Sequence, residues 1–342
     1  MYIFDFFKRL TSKKNIPIVI YLVLNVFIVA VGMRIIIGLL NGTGGIVNVM
    51  TLESNNSRIV LDLSLALLIG IVVYSLFLVV ALSPIGEWII RKQNHCNKIE
   101  RKEQIDVIEP IFREVYDKSR ALDPSISGNV QLSIREGKEA NSFAIGRNSI
   151  CITEGFLSLP VDQMKASLGH ELGHLANKDT DLLLVVAVGN ILVNIIIWLV
   201  QAAIFIFGRL SNLISSIFSK IVGAVDGGAT VSAVLETLLS CVLNVICMIM
   251  SFIFIRVFFT GWTRLGCWLV KKACRDTDYE ADEFAFNAGY GIGLCQLLDS
   301  ADTEQAPEGL FAALSRNHPP KDSRIAKLQA LGCTYKASYG IQ

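Results

Sequence analysis

Residues 161–177 read Val-Asp-Gln-Met-Lys-Ala-Ser-Leu-Gly-His-Glu-Leu-Gly-His-Leu-Ala-Asn and hold two histidines four positions apart. Pro160 stands directly before them, and a proline suits the entry to a helix. The amphipathic pattern predicts one helix over this stretch. His170 and His174 are i and i+4, so both imidazoles project from the same helical face.

Two imidazoles on one helical face are suited to hold a single divalent ion, and Glu171 lies next to the first of them. In such a site neutral imidazoles bind zinc, which lowers the pKa of water to about 7, and a carboxylate removes the proton as water attacks a carbonyl. The chain has four histidines, so a chance HExxH is rare. The alternative is a surface helix with two solvated histidines. We expect one zinc ion per subunit on His170 and His174, with Glu171 as general base.

A catalytic zinc site also needs a third protein ligand and an open fourth position. Asp278-Tyr279-Glu280-Ala281-Asp282 is an acidic cluster on a predicted helix. Asp278 and Asp282 face the same way, whereas Glu280 points to the opposite side. One acid of the like-facing pair can bind the metal while the other accepts a proton from a ligand histidine. The spacing leaves open which acid does which, and a solvated acidic patch is the alternative.

Composition separates this chain from most soluble proteins. It has 342 residues, 52% of them hydrophobic and 18% charged, with a mean hydropathy of +0.52. A soluble domain of this length carries more charge. The net charge of +1 gives no basic surface for a nucleic acid, so no nucleic-acid partner is expected. Eight cysteines without a CxxC pair predict free thiols rather than a disulfide framework.

Four apolar runs hold the excess hydrophobic residues. A helix needs roughly 20 apolar residues to cross the hydrocarbon core. The runs cover residues 16–40, 63–82, 182–208 and 238–255. They predict four transmembrane helices in a lipid bilayer, the first of them an uncleaved anchor rather than a signal peptide.

Basic residues cluster before the first run, after the second and after the fourth, and such clusters mark the cytoplasmic side. We therefore expect the N-terminus and both large soluble segments in the cytosol. The predicted organisation is mainly α with a small β-sheet, with a cytosolic zincin-like catalytic domain assembled from two chain segments. Its parts are residues 1–83 (stub and transmembrane helices 1 and 2), 84–181 (first catalytic part), 182–255 (transmembrane helices 3 and 4 with a short extracytoplasmic loop) and 256–342 (second catalytic part with the third ligand).

Within the soluble segments, the patterns predict a helix over 104–122 and strands over 130–134, 141–145 and 149–153. Gly146-Arg147-Asn148 suits a hairpin turn between the last two strands. A helix over 262–287 is expected to stop at Gly289 and Gly291. Two short helices follow over 307–314 and 321–331, separated by a rigid break at 317–320.

Four stretches in order resemble the HtpX-type family of membrane zinc metallopeptidases, gluzincins related to the CAAX prenyl proteases. They are residues 141–146 (Asn-Ser-Phe-Ala-Ile-Gly), 169–174 (Gly-His-Glu-Leu-Gly-His), 278–282 and 318–320 (His-Pro-Pro) with Arg324. The resemblance implies zinc on His170 and His174, Glu171 as base, and a cytosolic active site. It further implies a multi-pass protein of the bacterial inner membrane that cuts misfolded membrane proteins or unfolded polypeptides without ATP.

The resemblance also assigns the acids, with one departure. Where the family carries its zinc-binding glutamate, this chain has Asp278, which is one methylene shorter, so the backbone must come closer or the zinc geometry must change. Asp282 matches the family's aspartate that orients a histidine. Glu280 would replace Asp278 as ligand only if the helix phase were broken.

Two further expectations concern the substrate. Residues 141–146 resemble the family's edge strand, so Asn141 and Ala144 are expected to lie where an extended peptide adds as a strand; an ordinary interior strand is the alternative. His318 and Arg324 are expected to donate hydrogen bonds to the tetrahedral oxyanion. A helix-capping or packing role is the alternative for this pair.

Three other functions compete with peptide hydrolysis at the membrane surface. A site-2-type intramembrane protease carries its histidine helix inside a span, whereas polar residues flank the helix here, namely Asp162, Gln163, Lys165, Lys178, Asp179 and Asp181. A prenyl-protein protease needs more spans than four. A non-catalytic membrane scaffold with a zinc site has no need of Glu171.

Overall fold

The computed structural model describes residues 10, 15–40, 56–225, 242, 245–246, 249–253, 256–258, 260–262, 264–266, 268–269, 276–300 and 319–336. The chain divides into two compact units: Met1–Leu22, Phe77–Gly189 and Gly266–Gln342 form the first, and Val23–Leu76 and Asn190–Leu265 form the second. The helices are α1 (Ile16–Leu40), α2 (Asn56–Ala81), α3 (Pro84–Gln93), α4 (Lys102–Leu122), α5 (Val161–Asn177), α6 (Thr180–Val225), α7 (Ile249–Gly266), α8 (Thr277–Ala285), α9 (Gly291–Ser300) and α10 (Lys321–Ala330). The strands are β1 (Asn97–Lys98), β2 (Gln131–Arg135), β3 (Ser142–Ile145) and β4 (Ser149–Thr153).

Among the described residues, four helices are long and apolar enough to cross a membrane, as predicted: Ile16–Ile36 in α1, Ser64–Ala81 in α2, Thr180–Ala203 in α6, and α7. The first three coincide with predicted runs. The fourth, Ile249–Gly266, overlaps the predicted run 238–255 over residues 249–255, and most of residues 238–248 lie outside the described part of the chain. Val257 and Phe258 are apolar and exposed, so the helix stays hydrophobic past Arg256, where the prediction ended it.

The second unit exposes large apolar side chains, as expected for a surface that contacts lipid. Val23, Leu76 and Trp198 are 62%, 63% and 66% exposed, which would be costly in water but fits lipid contact. Its interior holds polar groups that pair between helices. The fully buried Asn25 amide donates to Tyr74 Oη at 3.1 Å and accepts from Trp262 Nε1 at 3.0 Å. Lipid tails are as apolar as the helix surfaces, so the hydrophobic effect does not drive spans together. Interhelical hydrogen bonds of this kind help to hold them.

The first unit contains a four-stranded sheet with the order β1-β2-β4-β3, in which β2 and β4 run parallel and the other pairs antiparallel. One face packs on α5. Ile150, Ile152 and Leu168 are fully buried in this core. Helices α4, α8 and α9 pack around α5, which is therefore the central helix of the unit.

Several sequence expectations need correction here. The predicted stop is confirmed at Gly289 but wrong at Gly291: α8 and the turn Phe286–Tyr290 are separated from α9 by a kink at Gly289, and α9 begins at Gly291. Gly289 has φ = 90°, so it kinks the chain, whereas Gly291 adopts an ordinary helical conformation. The helix α3 and the short strand β1 were not predicted. The predicted helix over 307–314 lies outside the described residues.

The turn between β3 and β4 is tied to the start of α6. Gly146 has φ = 58°, a left-handed conformation in which glycine avoids the cost of a Cβ. Arg147 donates Nε and Nη2 to the buried Asp181 carboxylate at 2.9 and 2.6 Å. The Arg147 backbone N–H donates to Glu87 at 2.8 Å, and the Thr180 hydroxyl donates to the Gly146 carbonyl. These bonds tie the turn between β3 and β4 to α3 and to the start of α6.

Candidate metal centre

The site is built by two antiparallel helices, α5 and α8, that approach closely along small residues. A Cβ added to Gly173 would meet the Ala281 backbone at 2.9 Å, and one added to Gly169 would meet Ala285 Cβ at 3.6 Å. On each helix the polar residues are also four positions apart, so the two histidines of α5 come opposite the two aspartates of α8. His174 comes opposite Asp278, and His170 comes opposite Asp282.

Each imidazole is held through its Nδ1 atom. His170 Nδ1 donates to Asp282 Oδ1 at 2.8 Å, and His174 Nδ1 donates to Asp179 Oδ2 at 2.9 Å. Both Nε2 atoms therefore turn toward the same point and lie 3.1 Å apart. Asp278 Oδ1 lies 3.6 Å from His174 Nε2. Glu280 is exposed on the opposite side of α8.

The donor set fits a zinc ion. With both Nδ1 atoms donating, the Nε2 atoms face each other with lone pairs, an arrangement that needs a cation or a proton between them. Ligand atoms of His170, His174 and Asp278 all lie within 4.8 Å of one another. Two ligands at ordinary zinc distances in a tetrahedron are about 3.3 Å apart, close to the 3.1 and 3.6 Å found here. Two imidazoles and one carboxylate leave a fourth position open, as catalytic zinc sites do.

The charges around the site set the protonation of the metal-free histidines. Burial lowers the pKa of His170. Burial also lowers the pKa of His174, but the negative charges of Asp179, Glu171 and Asp278 outweigh that effect and raise it to about 10. In the absence of a metal, one proton therefore occupies the place between the two Nε2 atoms, and a metal ion has to displace it.

Glu171 lies on β3. Its Oε2 accepts a hydrogen bond from the Ala144 backbone N–H at 2.8 Å, and its Oε1 accepts one from Ser142 Oγ at 3.1 Å. The Ser142 hydroxyl in turn lies 2.8 Å from Ser167 Oγ on α5. The side chain is buried, and its charge contributes to the high pKa of the neighbouring His174.

The remaining expected residues occupy different places. Asn141 directly precedes β3 and pairs its backbone N–H and C=O with Thr153 on the neighbouring strand. Arg324 on α10 is buried behind His170 and donates Nε and Nη2 to Asp282 at 2.7 and 2.6 Å. These two bonds orient the acid that holds His170. His318 lies outside the described residues.

Three residues of the site were missed in the sequence. Asp179 follows α5, and the left-handed conformation of Lys178 (φ = 56°) turns the chain so that the carboxylate reaches back to His174. The i, i+4 rule applies only within a helix, so it does not predict a contact to Asp179, which lies beyond the end of α5. An acid five positions after a histidine could still have indicated this contact. Ser142 and Ser167 carried no signal, because their pairing joins a strand to a helix.

The chain is similar to several known proteins. Peptidase family M48 matches residues 107–331. Two curated proteins called Protease HtpX homolog, from Nostoc sp. and Trichormus variabilis, are each 40% identical over 75 residues, 20% of this chain and 25% of theirs. The crystal structure of S. mikatae Ste24p aligns over 80% of this chain and 65% of its own, with 17% identity and a TM-score of 0.36. The alignment with the two bacterial proteins thus spans about a quarter of their length.

A buried His-Glu-His helix with a facing aspartate, in a chain with four helices long and apolar enough to cross a membrane in its described part, fits the class of membrane metallopeptidases. The family match covers well over half of the sequence. The chain belongs to peptidase family M48.

Proposed function

We propose that this chain is a zinc-dependent endopeptidase that cuts membrane proteins and unfolded polypeptides at the cytosolic surface of a bacterial cell membrane. The observation that carries the proposal is the convergence of His170, His174 and Asp278 on one point with Glu171 beside it. A purely structural metal site has no use for that fourth residue. We assign the first three as ligands and Glu171 as general base.

The protein's own residues have separable tasks in this proposal. Asp179 and Asp282 hold the two imidazoles with Nε2 free, and Arg324 holds Asp282 in turn. A bound zinc ion supplies an acidified water and polarises the substrate carbonyl. Glu171 takes the proton from the attacking water and passes it to the departing amine. The shorter Asp278 reaches the site because Gly173 lets the α8 backbone come close.

The substrate class follows from the strand next to the site. Ala144 is assigned to the edge at which an extended peptide adds, with Asn141 at the start of that edge, since backbone pairing is tolerant of sequence. Such a site suits segments that have lost their fold. The four spans hold it near the bilayer, where damaged membrane proteins expose loops. The positively charged residues flanking the spans support a cytosolic location.

The test compares the detergent-purified protein with Glu171→Gln. We expect one zinc per chain in both, casein cleavage by the native protein, and loss of cleavage in the variant. Phenanthroline should stop cleavage by the native protein, and added zinc should restore it. Full cleavage by Glu171→Gln removes Glu171 from the mechanism. Zinc binding without cleavage by either protein supports a non-catalytic scaffold instead.

A further inference from the structure

Strand β3 lies at the edge of the sheet, and its outer side faces away from β4. In an antiparallel pair, alternate residues exchange both backbone bonds with the neighbouring strand, and the residues between them direct theirs outward. Asn141 bonds Thr153 across to β4. By alternation, Ser142 and Ala144 direct their N–H and C=O groups away from β4. Within the described residues, no strand pairs with this outer edge.

The group that occupies this edge is the general base itself. The outward N–H of Ala144 donates to Glu171 Oε2, and the Ser142 hydroxyl on the same strand donates to Oε1. Both carboxylate oxygens are therefore bound to β3. We name these two hydrogen bonds the Glu171 clamp.

A peptide that adds to β3 must use the same N–H. Strand addition places a substrate carbonyl where it accepts from an outward backbone N–H, and Ala144 N–H already has an acceptor. The substrate carbonyl and Glu171 therefore compete for one donor. Displacement of Glu171 from Ala144 frees a carboxylate oxygen at the moment when a peptide lies beside the metal ligands.

We propose that Ser142 is a positioning residue that holds Glu171 on the edge of β3 in the resting site, and that an adding substrate strand releases the base by taking Ala144 N–H. This inference rests on the proposed peptidase function. In addition, it couples the two steps: binding of the substrate strand itself releases the Glu171 carboxylate to act as base. Ser167 supports the arrangement by pairing with the Ser142 hydroxyl, without itself touching Glu171.

The test measures affinity rather than turnover. The probe is a fluorescent extended peptide whose central amide is replaced by a neutral, uncleavable ketomethylene link, titrated by anisotropy into the zinc-loaded full chain. A hydrogen bond to a charged acceptor is strong enough that its loss from the resting state should matter. We expect Glu171→Ala to bind the peptide about tenfold more tightly and Ser142→Ala about three- to tenfold more tightly.

A double variant and a matched control separate the clamp from general packing. Ser142→Ala should have no further effect in the Glu171→Ala background, because the clamp is already open there. Ser167→Ala, which also removes one buried hydroxyl, keeps both bonds to Glu171 and should bind within about twofold of the native chain. Ser142→Ala and Ser167→Ala should retain full zinc content, which verifies the fold around the ligands.

Hydrogen exchange gives a second measurement. Residues 141–146 should exchange faster in free Glu171→Ala than in the free native chain, and the bound peptide should remove the difference. Unchanged or weaker peptide binding by Glu171→Ala overturns the competition. Weaker binding by a zinc-replete Ser142→Ala shows that the hydroxyl serves the bound state instead. Absence of peptide binding by all variants and the native chain rejects the proposed peptidase function, and the clamp with it.

Discussion

Replacement of Asp179 by Asn tests whether the carboxylates behind the imidazoles determine metal affinity. Asp179 is 4% exposed and its Oδ2 lies 2.9 Å from His174 Nδ1. Its other oxygen, Oδ1, is buried with no hydrogen-bond partner in the described part of the chain, so its charge acts mainly on His174. Loss of such an acid typically weakens metal binding by about 10- to 100-fold, or about 1.4–2.8 kcal/mol.

The assay is a zinc competition titration against a fluorescent chelator at neutral pH. Asp179→Asn keeps the shape of the side chain, so the expected loss comes from charge rather than from a cavity. Asp162→Asn is the matched control, because it removes an exposed acid from the first turn of the same helix. If Asp179→Asn binds zinc within twofold of the native chain, the orienting role assigned to this acid is wrong.

The same titration has an expected pH dependence. The metal-free His174 keeps its proton up to a pKa of about 10, and zinc must displace that proton. Affinity should therefore rise about tenfold per pH unit from pH 6 to 9. In Asp179→Asn, the pKa of His174 falls because the main opposing charge is gone, so the affinity should level off at lower pH. An affinity of the native chain that does not change over this interval contradicts the assigned protonation.

Three further variants probe the assembly of the site. Asp278→Ala should lower zinc content well below that of Glu280→Ala, since only the former carboxylate faces the imidazoles; the opposite ranking in metal analysis refutes the ligand assignment. Arg324→Met should lower the unfolding free energy in a denaturant titration by about 3–5 kcal/mol, because it leaves Asp282 buried and unpaired; a loss below 1 kcal/mol would show that Asp282 finds another partner. Gly173→Ala should lower the unfolding free energy by about 1–3 kcal/mol through the clash with Ala281, and it should reduce zinc binding. Unchanged zinc affinity would mean that the α8 backbone can shift while its carboxylates keep their positions.

Much of the site could be predicted because helical periodicity is local. The i, i+4 rule places His170 beside His174 and Asp278 beside Asp282 without any knowledge of the tertiary fold. It also separates Glu280, which the structure shows exposed. The helix from 161 to 177 was predicted with its observed bounds, since Pro160 begins it and the left-handed Lys178 ends it.

The parts that escaped prediction depend on tertiary contacts or on conformations that composition does not report. Asp179 reaches His174 only because one residue turns left-handed. Ser142 acquires its role from a helix that passes over β3. Gly291 looks like a helix stop, but packing around α5 keeps it helical. The helix of the fourth predicted span continues beyond Arg256, where the prediction ends it, because apolar residues follow the arginine.

The separation of the two ligand helices along the chain has a consequence for biosynthesis. His174 and Asp278 are 104 positions apart (278 − 174), with two membrane spans between them. At translation rates of about 5–20 residues per second, the ribosome needs roughly 5–20 s to reach the second helix after making the first. During that interval the nascent polypeptide carries the histidines but not their third ligand. The proposed metal site is therefore completed only after both intervening helices have been synthesised.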